Sequence, residues 1–222
     1  MKVAVASSFP LDSNYASAIN VVKIADGFAS LGNEVILFCR NPLDKNFSKK
    51  DFINKYSLNP NIKIKCYPIF KILFFIDDHY LFPLLSLLDL KKFEPDFVYA
   101  RHYVLPYFTS FFKINTVAES HAYIGNKSIA LKIMISGLKK FNKFKSLITI
   151  SDLLKENFIK KGVPSRKIKV LSDTVDLKIF NLPKNYIKKT NSKFTVLYSG
   201  HLYAYKGINT ILKAAKILPL FN

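Results

Sequence analysis

Polar side chains that could do chemistry follow two apolar runs near the middle of the chain. Arg101 and His102 come directly after one run, and Glu119 and His121 end the next. An open parallel sheet lines its ligand crevice with groups at the carboxyl ends of its strands. The sequence therefore predicts that these four residues line a cleft. A histidine that is simply hydrogen-bonded at a strand end is the alternative interpretation of His121.

A loop near the end of the chain has the composition of a phosphate site. Gly200 and Gly207 bracket the loop, Lys206 precedes the second glycine, and residues 208–215 then carry apolar side chains at helical spacing. Free backbone N–H groups, the positive end of a helix and a lysine charge together suit a phosphate group. Glycines at strand-to-helix turns also occur for backbone reasons alone, so a plain turn remains the alternative.

The elements that would position these residues alternate between strands and helices. Residues 2–6 and 35–39 predict buried strands, joined by a helix that ends near Leu31 with Gly32 in the left-handed position after it. Further strands are predicted at residues 62–66, 97–100, 116–119, 147–150 and 168–171, and further helices at residues 127–144 and 152–161, the second capped by Ser151. This order predicts an α/β fold, a Rossmann-like parallel sheet with helices on both faces. The first loop lacks the Gly-x-Gly-x-x-Gly pattern, which argues against a dinucleotide site there.

Residues 67–90 are the most apolar part of the sequence. A pair of core helices is one interpretation, and a surface that meets lipid or a lipid-linked acceptor is the other. Charged residues and Pro83 interrupt the apolar runs, which fall short of the roughly 18 residues that a membrane-spanning helix needs. We therefore expect no transmembrane helix.

The charge balance of the chain is strongly basic. Lysine and arginine number 34 against 15 aspartates and glutamates, a formal net charge of +19. Such an excess favours an anionic partner, although scattered lysines are also compatible with compositional bias. No RNA-binding aromatic motif, zinc-ligand spacing or helix-turn-helix pattern is present, so nucleic acid is not predicted as a partner. Membrane surfaces and phosphorylated substrates remain as anionic partners, and peripheral contact with an anionic membrane is expected.

The two cysteines and the start of the sequence bear on the compartment. Cys39 and Cys66 fall in strand-like apolar runs, which predicts buried free thiols rather than a disulfide or a metal pair. The apolar stretch after Met1 is too short for a signal peptide. Together these features predict a cytoplasmic protein, with the inner face of the membrane as a further expectation.

The last fifty residues suggest a second domain. Residues 172–193 contain Pro183 and five lysines among few apolar side chains, as interdomain linkers do. Residues 194–198 then predict a strand, so that residues 194–222 would form strand, loop and helix. A single such unit cannot make a parallel sheet. We expect a first domain at residues 1–171, a linker at 172–193 and an incomplete second domain at 194–222.

With this order of elements, the chain resembles the family 4 glycosyltransferases, which are retaining enzymes of the GT-B fold. The resemblance is carried by residues 15–38 (YASAINVVKIADGFASLGNEVILF), 147–161 (LITISDLLKENFIKK), 162–180 and 199–207. It implies two Rossmann-like domains facing each other across a cleft, the first for the acceptor and the second for a nucleotide-sugar. The implied reaction transfers a sugar from a nucleoside-diphosphate donor to a hydroxyl in cell-surface polysaccharide or glycolipid synthesis. No tightly bound metal or cofactor is implied.

The resemblance also assigns roles to individual residues. His121 matches a catalytic histidine of the family near the transferred sugar, and Asp173 and Asp176 match acidic positions where the chain crosses between domains. Lys206 matches the basic residue that holds the donor diphosphate. His201 stands where the family has a partner arginine, which implies a weaker and pH-dependent contact.

Two further interpretations compete with an active transferase. The paired glutamates of the family belong to a later part of the second domain, so this chain alone is expected to be inactive. A non-catalytic basic module that binds anionic membrane or glycan, or one half of a split enzyme, is the alternative. A two-carboxylate hydrolase is disfavoured because Asp77 and Asp78, the only adjacent acidic pair, are neighbours in sequence and need not face each other.

Overall fold

A computed structural model describes residues 1–68, 78–122, 128–175, 196–200 and 202–217. The chain divides into two units, residues 1–174 and residues 175–222. The strands of the first unit are β1 (Lys2–Pro10), β2 (Glu34–Arg40), β3 (Lys63–Tyr67), β4 (Phe97–Arg101), β5 (Thr116–Ser120), β6 (Phe144–Thr149) and β7 (Ile168–Val170). Its helices are α1 (Ala16–Ser30), α2 (Lys49–Lys55), α3 (Asp78–Phe93), α4 (Leu105–Phe111), α5 (Ile129–Lys140) and α6 (Asp152–Lys160). In the second unit, α7 (Ile208–Ile217) follows a short 3₁₀ turn at Ala204–Lys206.

The seven strands form one parallel sheet in the order β3-β2-β1-β4-β5-β6-β7. β1 therefore lies inside the sheet, between β2 and β4. From β1 the next two strands, β2 and β3, add to one side of the sheet. The strands β4 to β7 add to the other side, so the strand order reverses between β1 and β4. This arrangement confirms the predicted Rossmann-like fold.

Alternate residues of β1 face two different groups of helices. Val3 and Val5 pack with residues of α1 and α2 such as Val21 and Phe52. Ala4 and Ala6 pack in another cluster with Phe82 of α3 and with Leu105 at the start of α4. Because successive side chains of a strand point to opposite faces, the helices cover both sides of the sheet.

Two of the predicted helix ends in the first unit, at Gly32 and at Ser151, are formed as the sequence indicates. Gly32 has φ 79°, the left-handed conformation that glycine adopts without a Cβ clash. Ser151 caps α6, because its side chain accepts a hydrogen bond from the backbone N–H of Leu154 at 3.3 Å. Such a cap satisfies one of the amide donors that the first turn of a helix leaves without a partner.

Two predictions need correction, and α4 has no counterpart among the predicted helices. The helix predicted at residues 127–144 ends at Lys140, because Phe144 is already buried as the first residue of β6. Val196–Tyr198 form no strand, and the side chains of Val196 and Leu197 are exposed. A strand needs a hydrogen-bonded neighbour, so β-propensity alone does not produce one.

The apolar segment at residues 67–90 is described only in part. Its second half is the start of α3, while residues 69–77 lie outside the described residues, so the predicted helix pair stays a prediction. No helix in the part of the chain that the structure describes is long and apolar enough to cross a bilayer.

Candidate functional site

The carboxyl edge of the sheet between β1 and β4 is the place where the strand order reverses. Ser7 of β1 pairs in register with Arg101 of β4 at this edge. After β1 the chain enters α1 on one face, and after β4 it enters α4 on the other. In open α/β sheets the two departing connections leave a crevice at such a point, and ligands bind there.

His121 lies at this edge between two carboxylates. Its Nε2 is 2.7 Å from Oε1 of Glu119, and its Nδ1 is 3.7 Å from Oδ1 of Asp173. The Glu119 side chain is 6% exposed and the His121 side chain 14%, whereas the Asp173 side chain is 54% exposed. The imidazole is therefore fixed from the buried side by Glu119, and its other nitrogen faces a carboxylate that reaches solvent.

The first turns of α1 connect to this group. Asn20 donates a hydrogen bond from Nδ2 to Oδ1 of Asp173 at 3.3 Å. Arg101 donates from Nη1 to the backbone carbonyl of Ser17 at 3.3 Å. These contacts hold Asp173 near His121 and tie the end of β4 to the start of α1.

Tyr99 lies behind Glu119 on β4. Burial first, and then the Glu119 carboxylate, raise the pKa of Tyr99 well above its usual value, while the nearby Arg101 acts in the opposite direction. The phenol of Tyr99 therefore stays protonated and places no second negative charge beside the Glu119 carboxylate.

Three polar atoms near the crevice are available to a ligand. Among the described residues, the hydroxyl oxygen of Ser7, the side-chain oxygen of Asn20 and Oε2 of Glu119 are buried and have no hydrogen-bond partner in the protein. A buried oxygen without a partner is costly, so such an atom often marks where a bound molecule supplies the missing bond. Neither Ser7 nor Asn20 stands out in the sequence, because each is a small polar residue in or beside an apolar run.

The structure brings together Asp173 and three of the four residues predicted to line the cleft. The fourth, His102, lies in the interior. Glu119, His121, Arg101 and Asp173 all lie at this edge. His102 is 2% exposed, and its Nδ1 accepts hydrogen bonds from the backbone N–H groups of Val104 and Leu105, both at 3.1 Å. Its role is to satisfy amides at the start of α4, which corrects the prediction that it lines the cleft.

The predicted phosphate residues belong to the second unit. Gly207 has φ 74° and directly precedes α7. Lys206 is exposed, with Nζ 5.5 Å from the centre of the Tyr205 ring, and Gly200 has φ 153°. His201 lies outside the described residues, as does Asp176.

The geometry around His121 suits proton transfer to or from a bound hydroxyl group. An imidazole with a carboxylate at each nitrogen can hold a proton on either side, and Asp173 is exposed enough for a ligand hydroxyl to replace it as a partner. No group of three or more histidine, cysteine and acidic side chains suitable for a metal ion occurs among the described residues.

A family model supplies the deciding comparison. The model for Glycosyltransferase Family 4 matches residues 18–179, well over half of the sequence. The chain belongs to glycosyltransferase family 4. No curated protein sequence matches it significantly.

Solved structures of other proteins share the fold. Sucrose-phosphate synthase from Thermosynechococcus elongatus is 14% identical with a TM-score of 0.67, and the alignment covers 99% of this chain and 60% of that one. HepE of Anabaena, in complex with UDP and glucose, is 16% identical with a TM-score of 0.59, covering 81% of this chain and 46% of that one. UDP-GlcNAc 2-epimerase from Methanocaldococcus jannaschii is 14% identical with a TM-score of 0.55. The alignment covers 77% of this chain and 45% of that one.

These similarities show that the chain shares the Rossmann-like fold of these proteins. They show nothing beyond the fold. An epimerase shares it with the two other proteins, so the fold alone does not fix the reaction. This family 4 chain spans about half the length of HepE.

Proposed function

We propose that this family 4 chain contributes the acceptor side of a retaining glycosyltransferase. The observation that carries the proposal is the position of His121, held between Glu119 and Asp173 at the crevice of a family 4 fold. The sugar would pass from a nucleoside diphosphate to an acceptor hydroxyl of a cell-surface polysaccharide or glycolipid, at the cytoplasmic side of the membrane. His121 would contact the transferred sugar, and Asp173 and Arg101 would line the acceptor side.

The second unit would supply part of the donor site. HepE has been solved with UDP and with UDP-glucose, which supports a nucleoside-diphosphate sugar as the donor here. We assign the diphosphate to the loop Gly200–Gly207, where Lys206 and the N–H groups at the start of α7 offer positive charge. His201 would add a donor to this loop. Stabilising the departing diphosphate is where such a site lowers the barrier most.

Hydrolysis of the donor tests this proposal without knowledge of the acceptor. The chain would be joined to a complete donor-binding domain and incubated with UDP-α-glucose, with water as the acceptor. Proton NMR of the released glucose at early times should show the α anomer, because retention preserves the configuration at C1. Early β-glucose would mean inversion, and no release from this or any other nucleotide-sugar would refute transfer.

A surface formed by α3, α4 and α5 supports a membrane contact. Leu84 and Leu88 lie one turn apart on α3 and are 53% and 68% exposed, and Phe111 at the end of α4 is 55% exposed. Phe111 packs edge-on against both Phe112 and Phe141, with ring centres 5.0 and 5.9 Å apart. We call these five residues the α3–α5 apolar surface. Single exposed leucines are ordinary, whereas apolar side chains exposed on neighbouring helices favour an interaction site.

Exposed lysines border the α3–α5 apolar surface. Lys91 lies 3.8 Å from the centre of the Phe112 ring, and Lys92, Lys113 and Lys140 are exposed at the ends of the same three helices. Apolar side chains within a border of lysines fit the interface of an anionic bilayer. This surface supports docking on a membrane. Docking would accompany sugar transfer or, if transfer is absent, would itself be the function of the module.

Vesicle sedimentation checks the docking. The 222-residue chain should bind vesicles of phosphatidylserine and phosphatidylcholine, release them as salt rises, and bind poorly to phosphatidylcholine alone. The double variant Leu88→Ser with Phe111→Ser should bind at least tenfold more weakly, since burying each such side chain contributes about 1.5–3 kcal/mol. Equal binding to both vesicle types at every salt concentration would mean that the charge has no such role.

The matched control replaces two leucines outside this surface. Leu31 and Leu43 are 79% and 71% exposed. Leu31→Ser with Leu43→Ser should leave vesicle binding unchanged. An equal loss in both double variants would show that general surface hydrophobicity, and not the α3–α5 apolar surface, is responsible.

A further inference from the structure

Cys39 and Cys66 are directly opposite each other on β2 and β3. They are paired in register across the two parallel strands, and their Sγ atoms are 3.4 Å apart. Both are free thiols, as the sequence predicts. Neighbouring strands lie about 4.8 Å apart, and paired residues of a parallel ladder point to the same face. A disulfide requires Cα atoms about 4.4–6.8 Å apart, so this spacing already fits one.

The two thiols differ in access to solvent. Cys39 is 4% exposed and packs in the core against residues of α1 and α2. Cys66 is half-buried on β3, which is the last strand at one edge of the sheet. A small oxidant from solvent would therefore reach Cys66 first and Cys39 second.

We propose that Cys39 and Cys66 form a reversible oxidation site, which takes a peroxide or a low-molecular-weight disulfide and closes a disulfide between β2 and β3. This site lies apart from His121 and is independent of the proposed transfer.

The electrostatic environment gives the two thiols different roles. The contact with Cys39 and the charge of Lys49 lower the pKa of Cys66, whereas the hydrogen bond with Cys66 and burial raise the pKa of Cys39 well above its usual value. Cys66 is thus the thiolate that attacks, and Cys39 is the thiol that resolves.

The reaction balances with hydrogen peroxide as the two-electron oxidant. The Cys66 thiolate attacks one oxygen, the O–O bond breaks, and the departing hydroxide leaves as water after taking a proton, which gives a sulfenic acid. The Cys39 sulfur then attacks the Cys66 sulfur, the S–O bond breaks, and the second water leaves with the Cys39 proton. With a disulfide oxidant, Cys66 displaces one thiol and Cys39 displaces the other. A dithiol reductant reverses either route.

Mass spectrometry of the 222-residue chain tests the site. The reduced protein is titrated with hydrogen peroxide, blocked with iodoacetamide and digested without reductant. We expect a peptide pair joined through Cys39 and Cys66, the loss of both titratable thiols together, full recovery with dithiothreitol, and a melting temperature several degrees higher when oxidised.

Single variants separate the roles of the two thiols. Cys39→Ser should leave a Cys66 sulfenic acid that dimedone traps, and Cys66→Ser should slow oxidation of Cys39 at least tenfold. The proposal fails if wild-type Cys66 proceeds to sulfinic acid while Cys39 remains open to alkylation. Disulfide-linked dimers in place of the internal bond would overturn it as well.

Discussion

Replacing His121 by alanine should lower kcat for sugar transfer by about 10²-fold or more, the usual cost of removing a hydrogen-bonding group that acts on the transition state. The variant is made in the chain joined to a complete donor-binding domain. Its free energy of unfolding should fall by about 1–3 kcal/mol, because the nearly buried Glu119 carboxylate loses its hydrogen bond to His121, and the variant should still be folded. Initial rates at saturating donor, together with urea denaturation of the same preparation, measure both quantities.

A conservative variant sharpens the test. His121→Gln keeps an amide that can bond to Glu119 but cannot carry a proton, so its rate should fall between those of wild type and alanine. Loss of rate only in proportion to loss of the folded fraction would make His121 a structural residue. Unchanged kcat in the alanine variant would remove it from the site altogether.

Replacing Phe144 by alanine should cost about 3–5 kcal/mol of unfolding free energy, a large part of the roughly 5–15 kcal/mol that a domain has. The Phe144 side chain is fully buried and packs with Leu138 and Leu147. A Cβ added at Gly137 would lie 3.3 Å from the Phe144 ring, so α5 already approaches the ring closely. The space left by alanine cannot be filled without moving the helix.

The control for Phe144 is another phenylalanine. Phe111 is 55% exposed, so Phe111→Ala should cost less than about 1 kcal/mol. Guanidinium denaturation followed by circular dichroism would measure both variants with a common slope. Equal losses for the two would mean that the buried cluster around Phe144 contributes no more than the surface does.

The parts of the fold that local patterns determine could be predicted from the sequence. Buried parallel strands appear as unbroken apolar runs, and Gly32 and Ser151 mark helix ends through backbone conformation and side-chain chemistry. The place of Glu119 and His121 at the carboxyl edge of the sheet also follows, because both residues come at the end of one strand. These features depend on neighbours in sequence.

The remaining parts of the site depend on contacts between distant segments. Asn20 reaches Asp173 across 153 positions, and no local pattern distinguishes it from any other polar residue of an amphipathic helix. The sequence around Tyr99 predicts only a buried aromatic residue. Its position near Glu119 follows from the pairing of β4 with β5. His102 is the opposite case. It follows the same strand as Arg101, which predicts a place at the crevice, but its side chain is buried and accepts hydrogen bonds from backbone N–H groups at the start of α4.

The location of β1 inside the sheet has a consequence for synthesis on the ribosome. β1 is made well before β4, since the backbone N–H of Lys2 bonds to the side chain of Asp96, 94 positions later, and β1 pairs with β4 only at Phe97–Arg101. At about 5–20 residues per second, the growing chain carries β1 with one unpaired edge for roughly 5–20 s. During that interval the nascent apolar strand is open to chaperones and to the same strand on neighbouring polysomal chains.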